Sequence, residues 1–93
     1  MLNPSSREVA CGARCVTVKP KSFKILEFLV RHAEQLVTRE LIFSHVWGYS
    51  FDPGTKVLEV QLSYIRRILI GLGCAVKIDT HRGRGLRLRA CDS

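Results

Sequence analysis

The stretch KVLEVQLSYIRRILIGLGCAVKIDTHRGRGLRLR (residues 56–89) decides the fold, because two different periodicities meet within it. In its first half Leu58, Leu62, Ile65 and Leu69 recur at i, i+4, i+7 and i+11, the repeat of an apolar helix face. In its second half Val76, Ile78, Leu86 and Leu88 alternate with polar neighbours, the repeat of half-buried strands. His81-Arg82-Gly83-Arg84-Gly85 lies between those strands as a glycine-rich connection. The spacing therefore predicts a helix over 55–70, stopped by Gly71 and Gly73, and a hairpin over 76–89. A disordered basic tail has no need of leucine at alternate positions.

The face of this helix opposite the leucines presents Lys56, Glu59, Ser63, Arg66 and Arg67, with Gln61 and Tyr64 towards its edges. That face is free to meet a partner. On the hairpin, Arg87 and Arg89 are expected to face solvent, and Arg82 and Arg84 to sit at the tip.

Towards the N-terminus, residues 48–54 (GYSFDPG) read as a turn-rich loop. Before it, Thr38 is a good N-cap for a helix over 38–47, Glu40 suits the positive helix start, and Gly48 ends the helix. Leu41, Ile42, Val46 and Trp47 supply its apolar side. A helix over 20–34 opens with Pro20, which is tolerated in a first turn. Phe23, Leu26, Val30 and Ala33 form its stripe, widened by Ile25, Phe28 and Leu29. Residues 1–18 read as short extended pieces, with 7–11 and 14–18 joined through Gly12-Ala13 as a small hairpin. The order is strands, helix, helix, loop, helix, basic hairpin.

A chain of 93 residues with 46% hydrophobic and 25% charged side chains suits one small globular domain. Fifteen Lys and Arg against eight Asp and Glu give a net charge of +7 and a pI near 9.8. Residues 1–54 carry seven basic and five acidic side chains, whereas residues 55–93 carry eight and three, so the excess lies with the helix and hairpin. An anionic partner is implied, with nucleic acid foremost. No apolar run approaches the ~18 residues of a membrane span and no signal segment is present, so the chain reads as soluble and cytosolic.

Four cysteines, Cys11, Cys15, Cys74 and Cys91, could form two disulfides in a secreted protein, but nothing else points to secretion. Cys11 and Cys15 have an acceptable gap for zinc ligands, but Cys74 and Cys91 form no matching close pair. Buried or idle thiols, with no metal or cofactor, are the expectation. No nucleophile elbow, phosphate loop or paired carboxylates accompany the serines, histidines and cysteines, which sets catalysis aside.

The segments PKSFKILEFL (20–29), LVTREL (36–41), HVWGYSFDPGT (45–55), VLEVQLSYIRR (57–67) and THRGRG (80–85) together resemble the DNA-binding (effector) domain of OmpR/PhoB-type bacterial response regulators. The resemblance covers nearly the whole chain, N-terminal strands included. It implies an α+β winged helix-turn-helix, with helix 55–70 in the major groove and the hairpin as a wing on an adjacent minor groove or the backbone. Carried over onto this sequence, the implied DNA-contacting residues are Lys56, Val57, Glu59, Gln61, Ser63, Tyr64, Arg66, Arg67, Thr80, Arg82, Arg84 and Arg87. The loop residues Tyr49, Ser50, Phe51 and Asp52 correspond to the segment that in the family can face RNA polymerase. Binding as a dimer to tandem direct repeats of duplex DNA is implied as well. Independent physics agrees: a helix fits the major groove, and arginine on a thin tip suits a narrow, strongly negative minor groove.

The sequence departs from the family pattern at several positions. Leu86 stands where Tyr is usual after the second wing glycine, and Arg84 is an extra wing arginine. Tyr64 occupies a commonly basic position, Ile68 a frequent Lys, Gln61 a usual His, and Lys19 the usual Thr cap. Base preference therefore does not carry over. The phosphoacceptor receiver domain of response regulators finds no counterpart in these residues, so the chain reads as an excised or free-standing effector domain. A second reading is a protein-interaction or RNA-binding winged helix using the same basic wing. The long polar face of helix 55–70 favours a groove over that alternative, since interaction modules more often expose apolar anchors.

Overall fold

Three helices form the centre of the fold, with antiparallel strands before and after them, in a computed structural model that describes residues 2–50, 53–54 and 56–90. The chain begins with β1 (Leu2–Asn3), β2 (Glu8–Cys11) and β3 (Arg14–Thr17), which pair in that order as an antiparallel sheet. Val9 faces Val16 in the register, and Val9 and the following Val18 are buried beneath the sheet. The pair β4 (Val76–His81) and β5 (Gly85–Ala90) closes the chain, with Ile78 opposite Leu88 and Thr80 opposite Leu86.

Helix α1 (Pro20–Arg31) begins where proline needs no amide partner and buries Phe23, Ile25, Leu26 and Leu29. It stops short of the expected residue 34. The Glu34 backbone turns to φ +67°, and its N–H donates to Leu88 O at 2.8 Å. The competing partner is a strand more than fifty residues further along the chain, which no local periodicity can report. Ala33, expected on the apolar stripe, is exposed.

Helix α2 (Arg39–Trp47) is capped by Thr38, whose Oγ1 accepts from Leu41 N at 3.2 Å, and ends on the left-handed Gly48. It buries Ile42, Phe43 and Val46, whereas Leu41, expected inside, is 53% exposed. Apolar residues lie nearly all round this short helix, so the pattern alone does not choose the buried side.

Helix α3 (Val57–Leu72) buries the expected Leu58, Leu62, Ile65 and Leu69 against α1 and the β4–β5 pair. It runs through Gly71 and ends on the left-handed Gly73. Thr55, where the sequence places its start, lies outside the described residues. Leu86 and Leu88 turn inward from β5, completing one core shared by helices and wing. Burying each such leucine contributes about 1.5–3 kcal/mol.

Two of the four cysteines depart from the expectation of idle thiols. Cys11 at the end of β2 and Cys74 after α3 form a disulfide across 63 residues of sequence, with Cα atoms 5.6 Å apart. Cys15 is free and exposed. Cys91 lies outside the described residues. No three His, Cys, Asp or Glu side chains come together as a metal site among the described residues.

Candidate nucleic-acid interface

The buried leucines of α3 dictate which of its residues face outward. Lys56, Val60, Ser63 and Arg67 follow the same i, i+4, i+7, i+11 spacing half a turn away, and all four are exposed. Val60, at the centre of this strip, is 63% exposed. Being apolar, it does not belong to the polar set expected on this face. The spacing from Lys56 was the available signal. Val57, at the first turn, is also exposed.

The flanks of α3 are engaged with the rest of the domain. On one side Arg66 donates from Nη2 to Ile78 O at 3.1 Å and to Thr80 Oγ1 at 2.7 Å. Arg66, expected on the free face, instead fastens α3 to β4. On the other side Gln61 is half-buried, and its Oε1 accepts from Ser22 Oγ in α1. Ser22 is fully buried, so the carbonyl of Gln61 satisfies a hydroxyl that water cannot reach. Gln61 thus lies at the edge of the outward face, as expected, with its amide oxygen turned towards α1.

Tyr64 is half-buried beside the core and carries the Lys19 ammonium over its ring, 5.0 Å from the centroid. Lys19 and Tyr64 are two of the departures from the family pattern, and the fold brings them together. Glu59 pairs with Arg39 at the start of α2, which offsets the one negative charge on this side of α3.

The wing tip is the turn Arg82–Gly83–Arg84, closed by Arg84 N donating to His81 O at 2.9 Å. Arg82 and Arg84 are exposed there, as expected. Arg87 and Arg89 do not face solvent freely as expected. Both are half-buried and converge on Asp79 of the neighbouring strand, Arg89 by a hydrogen bond and Arg87 at 3.7 Å. Desolvation raises the Asp79 carboxyl, but the Arg89 hydrogen bond and the charges of Arg89, Arg87 and Lys77 outweigh it and hold it below the ordinary carboxylate value.

Gly85 sets how closely the wing sits. At φ +139° it lies against Val37, and a Cβ there would fall 2.1 Å from Val37 O. Val37 and Leu86 exchange both backbone hydrogen bonds at 2.7 Å, an extra rung joining the α1–α2 connection to β5. Thr80 and the tip therefore stand beside α3 on a rigid base.

In the loop after α2, Tyr49 is exposed yet stacks at 6.2 Å on Phe43, and Ser50 is exposed. Phe51 and Asp52 lie outside the described residues.

The arrangement is thus an exposed helix strip with two cations, a two-arginine tip beside it, and a fixed angle between them. Comparison with known proteins gives this geometry a context. Residues 13–88 match the family model described as transcriptional regulatory protein, C terminal. The response regulator MprA of Mycobacterium leprae is 38% identical over 88 residues, which cover 95% of this chain and 39% of that protein. The uncharacterized transcriptional regulatory protein YkoG of Bacillus subtilis matches at the same identity and coverage. The chain thus spans about two-fifths of the length of these relatives. Among solved structures, the Klebsiella pneumoniae RstA DNA-binding domain in complex with the RstA box superposes with a TM-score of 0.75 at 25% identity, covering 95% of this chain and 88% of that one.

Proposed function

The chain belongs to the transcriptional regulatory protein C-terminal family, the OmpR/PhoB-type DNA-binding domain, and from that premise we propose that it binds duplex DNA sequence-specifically to regulate transcription. The exposed strip of α3 enters the major groove, and the Arg82–Arg84 tip rests in the adjacent minor groove or on its phosphates. The observation that carries this reading is the fastening of α3 to β4 through Arg66, because it presents helix strip and wing tip as one rigid surface with both sets of cations on it.

Roles follow from position. Lys56, Arg67, Arg82 and Arg84 neutralise phosphates or meet guanine edges, and Lys19 adds charge beside Tyr64. Ser63 offers a hydroxyl to a base or phosphate, and Val60 and Val57 offer apolar contact to a thymine methyl. Arg66, Thr80, Arg87 and Gln61 hold the surface in shape. The domain works in the bacterial cytoplasm, as a pair on direct repeats about one helical turn apart, with Tyr49 and Ser50 available to RNA polymerase.

Selection from a random duplex pool at about physiological salt tests this reading, because nonspecific charge attraction is weak there. Enrichment of a repeated motif is expected. Recovery of no motif by folded protein would overturn it in favour of a backbone-only, RNA-binding or protein-binding module.

A further inference from the structure

We propose that Cys11 and Cys74 form a reversible redox-modification site that exchanges with small thiols and disulfides and sets the rigidity of the recognition helix and wing. Cys74 lies in the short link between the end of α3 and the start of β4, next to the left-handed Gly73. Its bond to Cys11 anchors that link to the β2–β3 hairpin. A second tie crosses the same seam, from Arg14 Nη1 to Gly71 O at 3.0 Å. Reduction therefore loosens the seam without detaching the hairpin.

Access is open. Both cysteines are only half-buried and line a surface cavity of about 620 Å³ together with Gly12, Arg14 and Leu72. A domain that acts on DNA inside a cell meets a reducing thiol pool, and disulfides formed there are usually transient or redox-sensing. The inference rests in this respect on the DNA reading. The fold alone brings the two sulfurs together, since 63 residues separate them in sequence.

The exchange balances with a low-molecular-weight disulfide such as oxidised glutathione as oxidant. A thiolate of the pair attacks that disulfide, forming a mixed disulfide and releasing one small thiol. The second protein thiol then displaces the other, so two protein thiols and one small disulfide give the protein disulfide and two small thiols. A dithiol runs the same steps in reverse and leaves as a cyclic disulfide.

The test uses the full chain carrying Cys15→Ser and Cys91→Ser, so that only the pair can react. The protein is equilibrated in glutathione buffers, and free thiols are counted by alkylation. Amide hydrogen exchange and affinity for the selected duplex are measured on the oxidised and reduced forms. Expected are a reversible two-thiol transition and exchange at Leu72, Gly73 and Cys74 about tenfold faster when reduced. Affinity is expected to be about fivefold weaker in the reduced form, with Cys11→Ser/Cys74→Ser indifferent to the buffer. Irreversible or single-thiol reaction, equal exchange in both forms, or equal affinity would overturn the site. Failure of either form to select a DNA sequence would overturn the DNA reading instead, and hydrogen exchange would then decide the redox site alone.

Discussion

Arg66 of α3 and Thr80 of β4 are joined by a 2.7 Å hydrogen bond, and the same guanidinium reaches Ile78 O at 3.1 Å. A residue on the flank of α3 thus ties the helix to the first strand of the wing. Thr80→Val removes one acceptor while keeping the side-chain shape. DNA affinity is expected to fall about threefold to tenfold, in line with a net 0.5–1.5 kcal/mol per hydrogen bond, without a change in salt slope. A reduced slope in filter binding or anisotropy titrations would place Thr80 and Arg66 on phosphate instead.

Arg67 and Arg84 are exposed and make no ion pair with an acidic side chain among the described residues, and the DNA reading puts them on phosphate or base edges. Each alanine variant is expected to flatten the log–log salt dependence by about 0.9 if its charge meets a phosphate. Arg87→Ala, by contrast, breaks a contact to Asp79 and should leave the slope near that of the wild type. Three equal slopes would remove the wing tip and Arg67 from the phosphate contacts.

Val60 is the apolar centre of an otherwise polar strip. Val60→Ala shortens the side chain at the groove while leaving the core untouched. Preference for thymine at one position of the selected motif is expected to weaken about fourfold, the worth of roughly one buried methyl at ~0.8 kcal/mol. An unchanged motif would show that Val60 stands clear of the bases.

Gly85 admits no side chain, since a Cβ would meet Val37 O at 2.1 Å and the backbone φ is +139°. Gly85→Ala is expected to cost about 3 kcal/mol or more in urea unfolding, combining backbone strain with loss of the Val37–Leu86 rung. Gly83→Ala, at φ +74° with open space around it, should cost about 1 kcal/mol. Equal costs would mean that the close approach to Val37 yields easily.

Asp79 has its carboxyl held low by Arg89, Arg87 and Lys77 against the desolvation that raises it. A carboxyl depressed in the folded state stabilises the fold above the unfolded value of about 3.9. That contribution is lost as pH falls from there through the folded value. Asp79→Asn should therefore be less stable than wild type by a constant margin at pH 5–7, and the margin should shrink below about pH 4. A margin independent of pH in thermal melts would assign the loss to packing.

The helix-then-hairpin order could be read from residues 56–89 because both repeats there are local and strong, and the four core leucine and isoleucine positions of α3 follow from the same spacing. The surface was less legible. Arg66, Gln61 and Arg87 are polar residues at positions that a lone helix or hairpin leaves in solvent. Each instead finds a partner on another element: Thr80, Ser22 and Asp79. Val60 was hidden for the opposite reason, being apolar at an exposed position.

The sequence by itself determined the element order, the apolar faces of α1 and α3, the basic excess near the C-terminus and the family, because all of these rest on neighbours within a few residues or on linear motifs. Tertiary structure decided where α1 stops, which side of α2 is buried, why residue 85 must be glycine, and that Cys11 meets Cys74. Those outcomes depend on backbone groups and side chains brought together from distant parts of the chain. A Leu88 carbonyl that captures the Glu34 amide has no trace in the residues around Glu34. Long-range hydrogen bonds and steric contacts overrode local preference at each of these points.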